Sequence, residues 1–289
     1  MIIMYKDSIQ FTVDPAKCIR CGKCTADCQN RAIEPDPATG LPRVAPDGGT
    51  DRCMHCRHCL MICPVAAISV DGIDPARCLP ANTDLPSADS LLSLIRSRRS
   101  VRDYKQKNVD RAVLNWLLDA MRYVPTGVNF HQLHFSVIDD IDVMSAYRNR
   151  IYSQVRDLFE NGGISDEQRS RFENIYLQHK AGKDPVFRTA PHMLMVSVPA
   201  NAPCPDADPL IAVSYFELLA RSKGLGTCWF GRILFMWRDL LPDMLKIFRI
   251  PEGYKPGYAI LFGETDVVYP RTGDPDPVHI TRAVADDMF

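Results

Sequence analysis

Residues 18–28 read CIRCGKCTADC, and residues 53–64 read CMHCRHCLMICP. Both spell C-x2-C-x2-C-x3-C, and the second copy carries a trailing Pro64. Three thiolates within seven residues can wrap one corner of a cubane [4Fe–4S] cluster from a tight loop. The fourth cysteine cannot fold back onto the same cube, so it reaches the neighbouring one. The spacing therefore predicts two clusters with exchanged ligands. One is expected on Cys18, Cys21, Cys24 and Cys63, the other on Cys53, Cys56, Cys59 and Cys28.

Other cysteine chemistries fit less well. A zinc site uses two C-x2-C pairs separated by a longer loop. A disulfide framework belongs to a small secreted domain. The repeat also extends past the cysteines: Ala32 and Ile33 follow Cys28 at the interval at which Ala67 and Ile68 follow Cys63, the trace of a duplicated half-domain. Residues 1–80 resemble a bacterial-type two-cluster ferredoxin. Gln29 stands where that family usually has proline. Arg31 to Asp51 holds Pro35, Pro37, Pro42, Pro46, Gly48 and Gly49, and predicts a surface loop.

The chain has 289 residues, 46% of them hydrophobic and 24% charged, a balance that suits one large or two ordinary globular domains. The net charge of -1 gives no electrostatic case for nucleic acid or an anionic membrane. No apolar run is long enough to span a bilayer. The opening MIIMYKDSIQ lacks a charged n-region followed by a long apolar stretch. With cluster thiolates, this points to a reducing cytoplasm. His55 and His58 flank the second motif and read as exposed loop histidines. Beyond Cys63 only Cys78, Cys204 and Cys228 remain, and Cys228 reads as a buried structural thiol.

Residues 81–90 lie in a Pro- and Ser-containing stretch that reads as a linker to a domain spanning 91–289. Leu91, Leu92, Leu94 and Ile95 open an amphipathic helix that ends in the basic run RSRRSVR, residues 96–102. Guanidinium forks beside a hydroxyl suit phosphate, and a solvated basic face is the competing reading. Periodicity predicts a helix over 109–123, strands over 134–138, 193–198 and 258–262, and helices over 143–160, 166–179 and 209–222. Two loops interrupt them: PTGVNFHQLH at 125–134 and GLGTCWFG at 224–231.

These motifs, in this order and followed by Arg271, resemble the FMN-dependent nitroreductase family. The resemblance implies an α+β fold, an α-β-α sandwich with a mostly antiparallel central sheet. It also implies a homodimer with FMN at the subunit interface. Arg98, Arg99, Ser100, Arg102 and Arg271 would hold the phosphate and ribityl end. Pro125, Thr126, Gly127, Asn129 and Gln132 would approach from the other subunit, although Gln132-Leu133-His134 departs from the usual Gln-Pro-Trp. Trp229, Phe230 and Gly231 would line the ring system. No side chain stands out as an acid–base catalyst. The implied activity is reduction of a small electrophilic or aromatic molecule, fed by a redox protein or by NAD(P)H through the clusters. Dehalogenases, dehydrogenases, flavin-cleaving relatives and a docking electron-transfer module are the alternatives.

Overall fold

A computed structural model describes residues 8–273 and 275–283. The start of the stretch read for a leader, residues 1–7, lies outside them, as do residue 274 and residues 284–289. Backbone contacts divide the chain into two units. The smaller comprises residues 1–85 with 123–133 and 198–208, and the larger comprises 86–122, 134–197 and 209–289.

The smaller unit runs β1 (Phe11–Val13), α1 (Lys23–Asp27), β2 (Ile33–Pro35), β3 (Pro42–Val44), α2 (Gly49–Arg52), α3 (His58–Met61) and β4 (Ile68–Val70). Strands β1 and β4 pair antiparallel, Phe11 opposite Val70 and Val13 opposite Ile68. Its core gathers Cys24, Ile33, Leu60, Ile68 and Val70. The expected surface loop over 31–51 is instead a hairpin, β2 against β3, followed by the short helix α2. Two of the four prolines that suggested a loop stand opposite each other at the end of the ladder, Pro35 facing Pro42. The turn between them is built by Asp36, whose carboxylate accepts the N–H groups of Ala38 and Thr39 at 3.0 and 2.9 Å. Such Asx turns close a chain reversal without a helix or a ladder. Arg43 then bridges Glu34 and Asp36 at 2.8 Å each.

The two cysteine loops repeat each other in backbone conformation. Arg20 (φ 54) matches His55 (φ 49), Gly22 (φ 71) matches Arg57 (φ 60), and Arg31 (φ 51) matches Ala66 (φ 50). A left-handed residue at each of these points is unusual for a side-chain-bearing residue. It turns the loop tightly enough for successive cysteines to face one centre.

The larger unit carries α4 (Ala88–Ser97), α5 (Arg111–Ala120), β5 (His134–Ile138), α6 (Ile141–Asn161), α7 (Asp166–Lys180), β6 (His192–Pro199), α8 (Asp208–Ser222), β7 (Gly226–Trp229), α9 (Gly231–Asp239) and β8 (Tyr254–Gly263). Its sheet has the order β5-β6-β8-β7. Strand β5 pairs antiparallel with β6, and β7 with β8. Every residue of β6 is buried, so it reads as a continuous apolar run and not an alternating one. Helix α6 buries Met144, Tyr147, Ile151 and Val155, a three-to-four spacing that sets one stripe against the core. Trp237 lies deep in that core and donates its indole N–H to the Tyr147 hydroxyl at 2.7 Å.

Two local readings differ from the structure. Helix α4 starts at Ala88, inside the expected linker, because Ser87 caps it by accepting the Ser90 N–H at 3.1 Å. The glycine-rich stretch 224–231, expected as a loop, contains β7. There Gly226 serves close packing: a Cβ on it would sit 2.8 Å from Val101 Cγ1. Helix α9 follows at once and was not apparent in the sequence. Among the described residues no helix is long and apolar enough to cross a membrane.

Candidate functional site

The eight motif cysteines sort into two cavities within the smaller unit. One, of about 80 Å³, is lined by Cys18, Cys21, Cys24 and Cys63, with Pro35, Gly40 and Pro42 of the hairpin in its wall. The other, of about 200 Å³, is lined by Cys28, Cys53, Cys56 and Cys59, with Val128 and Asn129 in its wall. Each cavity thus takes three cysteines from one motif and the last cysteine of the other. Among the described residues no three His, Cys, Asp or Glu side chains converge tightly enough to hold one metal ion; the sulfurs ring a space instead of meeting at a point.

The sulfurs are also solvated by backbone. Ala32 N–H donates to Cys28 Sγ and Ala67 N–H to Cys63 Sγ, both at 3.2 Å. These are the alanines of the sequence repeat, and the isoleucines after them fill the core. His55 N–H points at Cys53 Sγ at 3.4 Å. Such donors stabilise negative charge on cluster sulfur and set its potential. Burial pushes the Cys59 thiol up to about 12 and raises Cys24 and Cys53 as well. Bound metal removes those protons outright. The donor set, the cavities and the N–H···S bonds fit a pair of four-iron clusters.

His55 is not the exposed residue expected from the sequence. Its side chain is 19% exposed and its Nδ1 lies 3.0 Å from the Asp71 carboxylate. His58 is exposed and lies 3.3 Å from Asp27. Cys78 and Cys204 are exposed. Cys228 is buried in the core of the larger unit, and burial raises its thiol.

In the larger unit the basic run and the glycine-rich stretch lie side by side. Ser100 bridges Thr227 of β7, and Val101 N–H donates to the Thr227 carbonyl at 2.8 Å. Arg98 is paired with the Glu217 carboxylate at 3.2 Å, and that carboxylate, only 7% exposed, also lies 3.3 Å from the Thr227 hydroxyl. Glu217 is the member of this group that sequence reasoning missed, because nothing in a core helix distinguishes a carboxylate that balances an arginine from one facing water. Arg99 donates to the Arg98 carbonyl at 3.0 Å and Arg102 to the Ser100 carbonyl at 3.4 Å. A guanidinium has five donors, so both retain capacity for an anion. The chain beyond Arg271, itself exposed, passes close to Arg99: a Cβ on Gly273 would sit 2.6 Å from its Nη2.

Trp229 is half-buried with its ring 5.1 Å from that of Tyr258. The Phe230 side chain is part of the core and its N–H donates to Ala259 O at 3.2 Å. Gly231 opens α9 beside the Tyr258 hydroxyl.

Pro125, Thr126, Gly127, Asn129 and Gln132 group with the smaller unit. Gly127 N–H donates to the Asp208 carboxylate at 2.9 Å. A Cβ on Gly127 would lie 2.5 Å from Cys204 Sγ, so glycine is required there by packing. Thr126 Oγ accepts the His131 N–H at 2.8 Å. Asn129 donates to the Met54 carbonyl at 3.1 Å. Pro125 and Gln132 are exposed.

The profile of the Nitroreductase family matches residues 95–264, and that of a 4Fe-4S dicluster domain matches residues 17–67. A 4-nitrobenzoate reductase of a Nocardioides species is 27% identical over 240 residues, 70% of this chain and 94% of the relative. An iodotyrosine deiodinase of Thermotoga neapolitana is 25% identical over 139 residues, 47% of this chain and 71% of the relative. A crystal structure of a nitroreductase with bound FMN from Desulfitobacterium hafniense superposes with a TM-score of 0.53 at 22% identity, covering 67% of this chain and 97% of that one. The α+β fold with its antiparallel strand pairs is that of these neighbours. By sequence profile and fold alike, the chain is an oxidoreductase that belongs to the nitroreductase family and carries an N-terminal 4Fe-4S dicluster domain.

Proposed function

We propose that the chain is an FMN-dependent reductase in which two [4Fe–4S] clusters feed electrons to FMN for reduction of a small electrophilic or aromatic substrate. The observation that carries this reading is the joining, in one chain, of two cysteine-ringed cavities to a nitroreductase-family unit. Iron–sulfur clusters pass single electrons, and bound FMN supplies the exchange between one- and two-electron chemistry.

The chain's own residues would bind and tune. Arg99, Arg102 and Arg271 would hold the phosphate, with Ser100 beside them. Glu217 would keep Arg98 in place and cancel its charge, so that the net positive charge offered to the anion comes from its neighbours. Trp229 and the backbone at Phe230 and Gly231 would border the ring, where N–H donors stabilise the reduced form. A homodimer would complete the site through Pro125, Thr126, Gly127 and Gln132 of the other copy. A cytoplasmic setting suits the cluster thiolates.

A second reading is reductive dehalogenation of an aromatic substrate, favoured by the similarity to the Thermotoga deiodinase. Product analysis with 4-nitrobenzoate and with 3-iodotyrosine separates the two. The test of the electron route is an anaerobic titration of the loaded protein with NADH, NADPH and reduced ferredoxin in turn. Bleaching of the flavin by ferredoxin alone, lost in Cys18→Ser and Cys53→Ser, supports it. Direct bleaching by nicotinamide, unchanged in both variants, overturns it. Arg99→Ala is expected to cut retained FMN at least tenfold, about 1.4 kcal/mol of binding.

A further inference from the structure

Residues 124–131 make a turn whose conformation runs against its sequence. Val128 (φ 48), Asn129 (φ 58) and His131 (φ 45) all lie in the left-handed region. Asparagine tolerates it, whereas a β-branched residue there is a true outlier. Backbone held in such a state persists only where its surroundings over-determine it. Here they do. The Asp208 carboxylate holds the Gly127 N–H, Thr126 Oγ holds the His131 N–H, and Gly127 lies against Cys204. The consequence of the strain is the position of two side chains. Val128 and Asn129 enter the wall of the cavity ringed by Cys28, Cys53, Cys56 and Cys59. Asn129 Nδ2 donates to the carbonyl of Met54, the residue after Cys53, while its Oδ1 lies 2.9 Å from His131 Nε2. The same Cys53–Cys56 loop carries the His55 N–H that points at Cys53 Sγ.

From this we infer that Val128 and Asn129 are positioning residues of the second iron–sulfur cluster, set there to fix its potential, although the family resemblance assigns Asn129 to the flavin. Val128 screens the cluster from water. Asn129 ties down the Met54 carbonyl and so holds the loop with its N–H groups toward sulfur. Both act through known determinants of cluster potential, solvent access and hydrogen bonds to sulfur. Water favours the more negatively charged, reduced cluster, so removing the screen raises the potential. Losing N–H···S alignment works in the opposite sense.

The inference rests on the two-cluster reading, and the test separates the two. The full chain is reconstituted anaerobically with iron and sulfide, and both clusters are titrated by EPR-monitored reduction. The second cluster is identified as the signal lost in Cys56→Ser. Val128→Gly and Asn129→Gly both accept a positive φ, so each removes a side chain without adding strain. The expected result is a higher second-cluster potential in Val128→Gly, a lower one in Asn129→Gly, and an unmoved first cluster in both. A second cluster at its wild-type potential in either variant removes that residue from the assignment. Equal displacement of both clusters marks general loosening and overturns it. Absence of reducible four-iron signals in the wild-type protein overturns the two-cluster reading itself.

Discussion

The two cysteine cavities share one loop geometry and differ in what covers them. The first is walled by its own insertion, the β2–β3 hairpin, through Pro35, Gly40 and Pro42. The second shares Ile33 of the hairpin's first strand and adds Val128 and Asn129, far along the chain. The loops themselves match position for position in their left-handed residues and in the alanine N–H groups that meet Cys28 and Cys63. Duplication accounts for what is alike. The covers account for what differs, and a cluster's potential follows solvent access and nearby dipoles as much as its ligands. Two like motifs are thus expected to hold clusters of unlike potential.

The largest expected effect tests how the cavities share their cysteines. Cys28 belongs by sequence to the first motif and by position to the second cavity, and Cys63 the reverse. Cys28→Ser should therefore abolish the second cluster and spare the first, and Cys63→Ser should do the opposite. Iron analysis with EPR reads this directly: about half the iron is lost in each variant, but with different signals remaining. Loss of the first cluster in Cys28→Ser would break the comparison at its base. A smaller effect comes from the matched pair Gly22 and Arg57, at φ 71 and φ 60. A Cβ on Gly22 meets only Thr25 Oγ1, at 4.0 Å, so Gly22→Ala adds backbone strain and little else, about 1 kcal/mol. Arg57→Gly should relieve a similar strain and gain about 0.5 kcal/mol. The midpoints of cluster absorbance in guanidinium check both signs; equal midpoints would mean that the two loops are not backbone equivalents.

What was legible in the sequence follows the range of the interactions. The cysteine spacing could be read because three ligands fall within one turn of chain, and β6 because burial on both faces leaves a continuous apolar run. The β2–β3 hairpin reads as a loop in the sequence because its prolines and Gly40 mask a ladder of three residue pairs. Strand β7 was hidden by Gly226, which looks like turn chemistry and serves close packing on Val101. The Arg98–Glu217 pair spans 119 residues of chain, and the bond from Asn129 to Met54 spans 75. No local pattern announces either. The RSRRSVR and PTGVN motifs were visible as motifs, but which partner each side chain faces depends on contacts that one sequence does not carry.

The smallest effect concerns pH, and it too separates the covers. The side chains that the hairpin turns to the first cavity, Pro35 and Pro42, do not titrate, whereas the second cover includes His131, bonded to Asn129. Desolvation, with the nearby Arg57 charge, lowers the His131 pKa from 6.5, and Asp208 opposes that shift. A histidine whose folded pKa is depressed binds its proton more readily when its surroundings come apart. Its contribution is therefore fully present above 6.5 and is lost as pH falls from there through the folded value. The Asn129 amide oxygen accepts from Nε2, so that nitrogen already carries a hydrogen; protonation adds one at Nδ1 and puts a charge near Arg57, and that repulsion loosens the turn that positions Asn129. Iron loss to a chelator from the second cluster should therefore accelerate as pH falls below 6.5 more than loss from the first. The excess should vanish in His131→Gln, which keeps a polar side chain beside Asn129 but cannot titrate. Clusters that respond equally to pH, or an excess that survives in His131→Gln, would show that the second cover does not act through this residue, and would leave the difference between the cavities to Val128 and Asn129 alone.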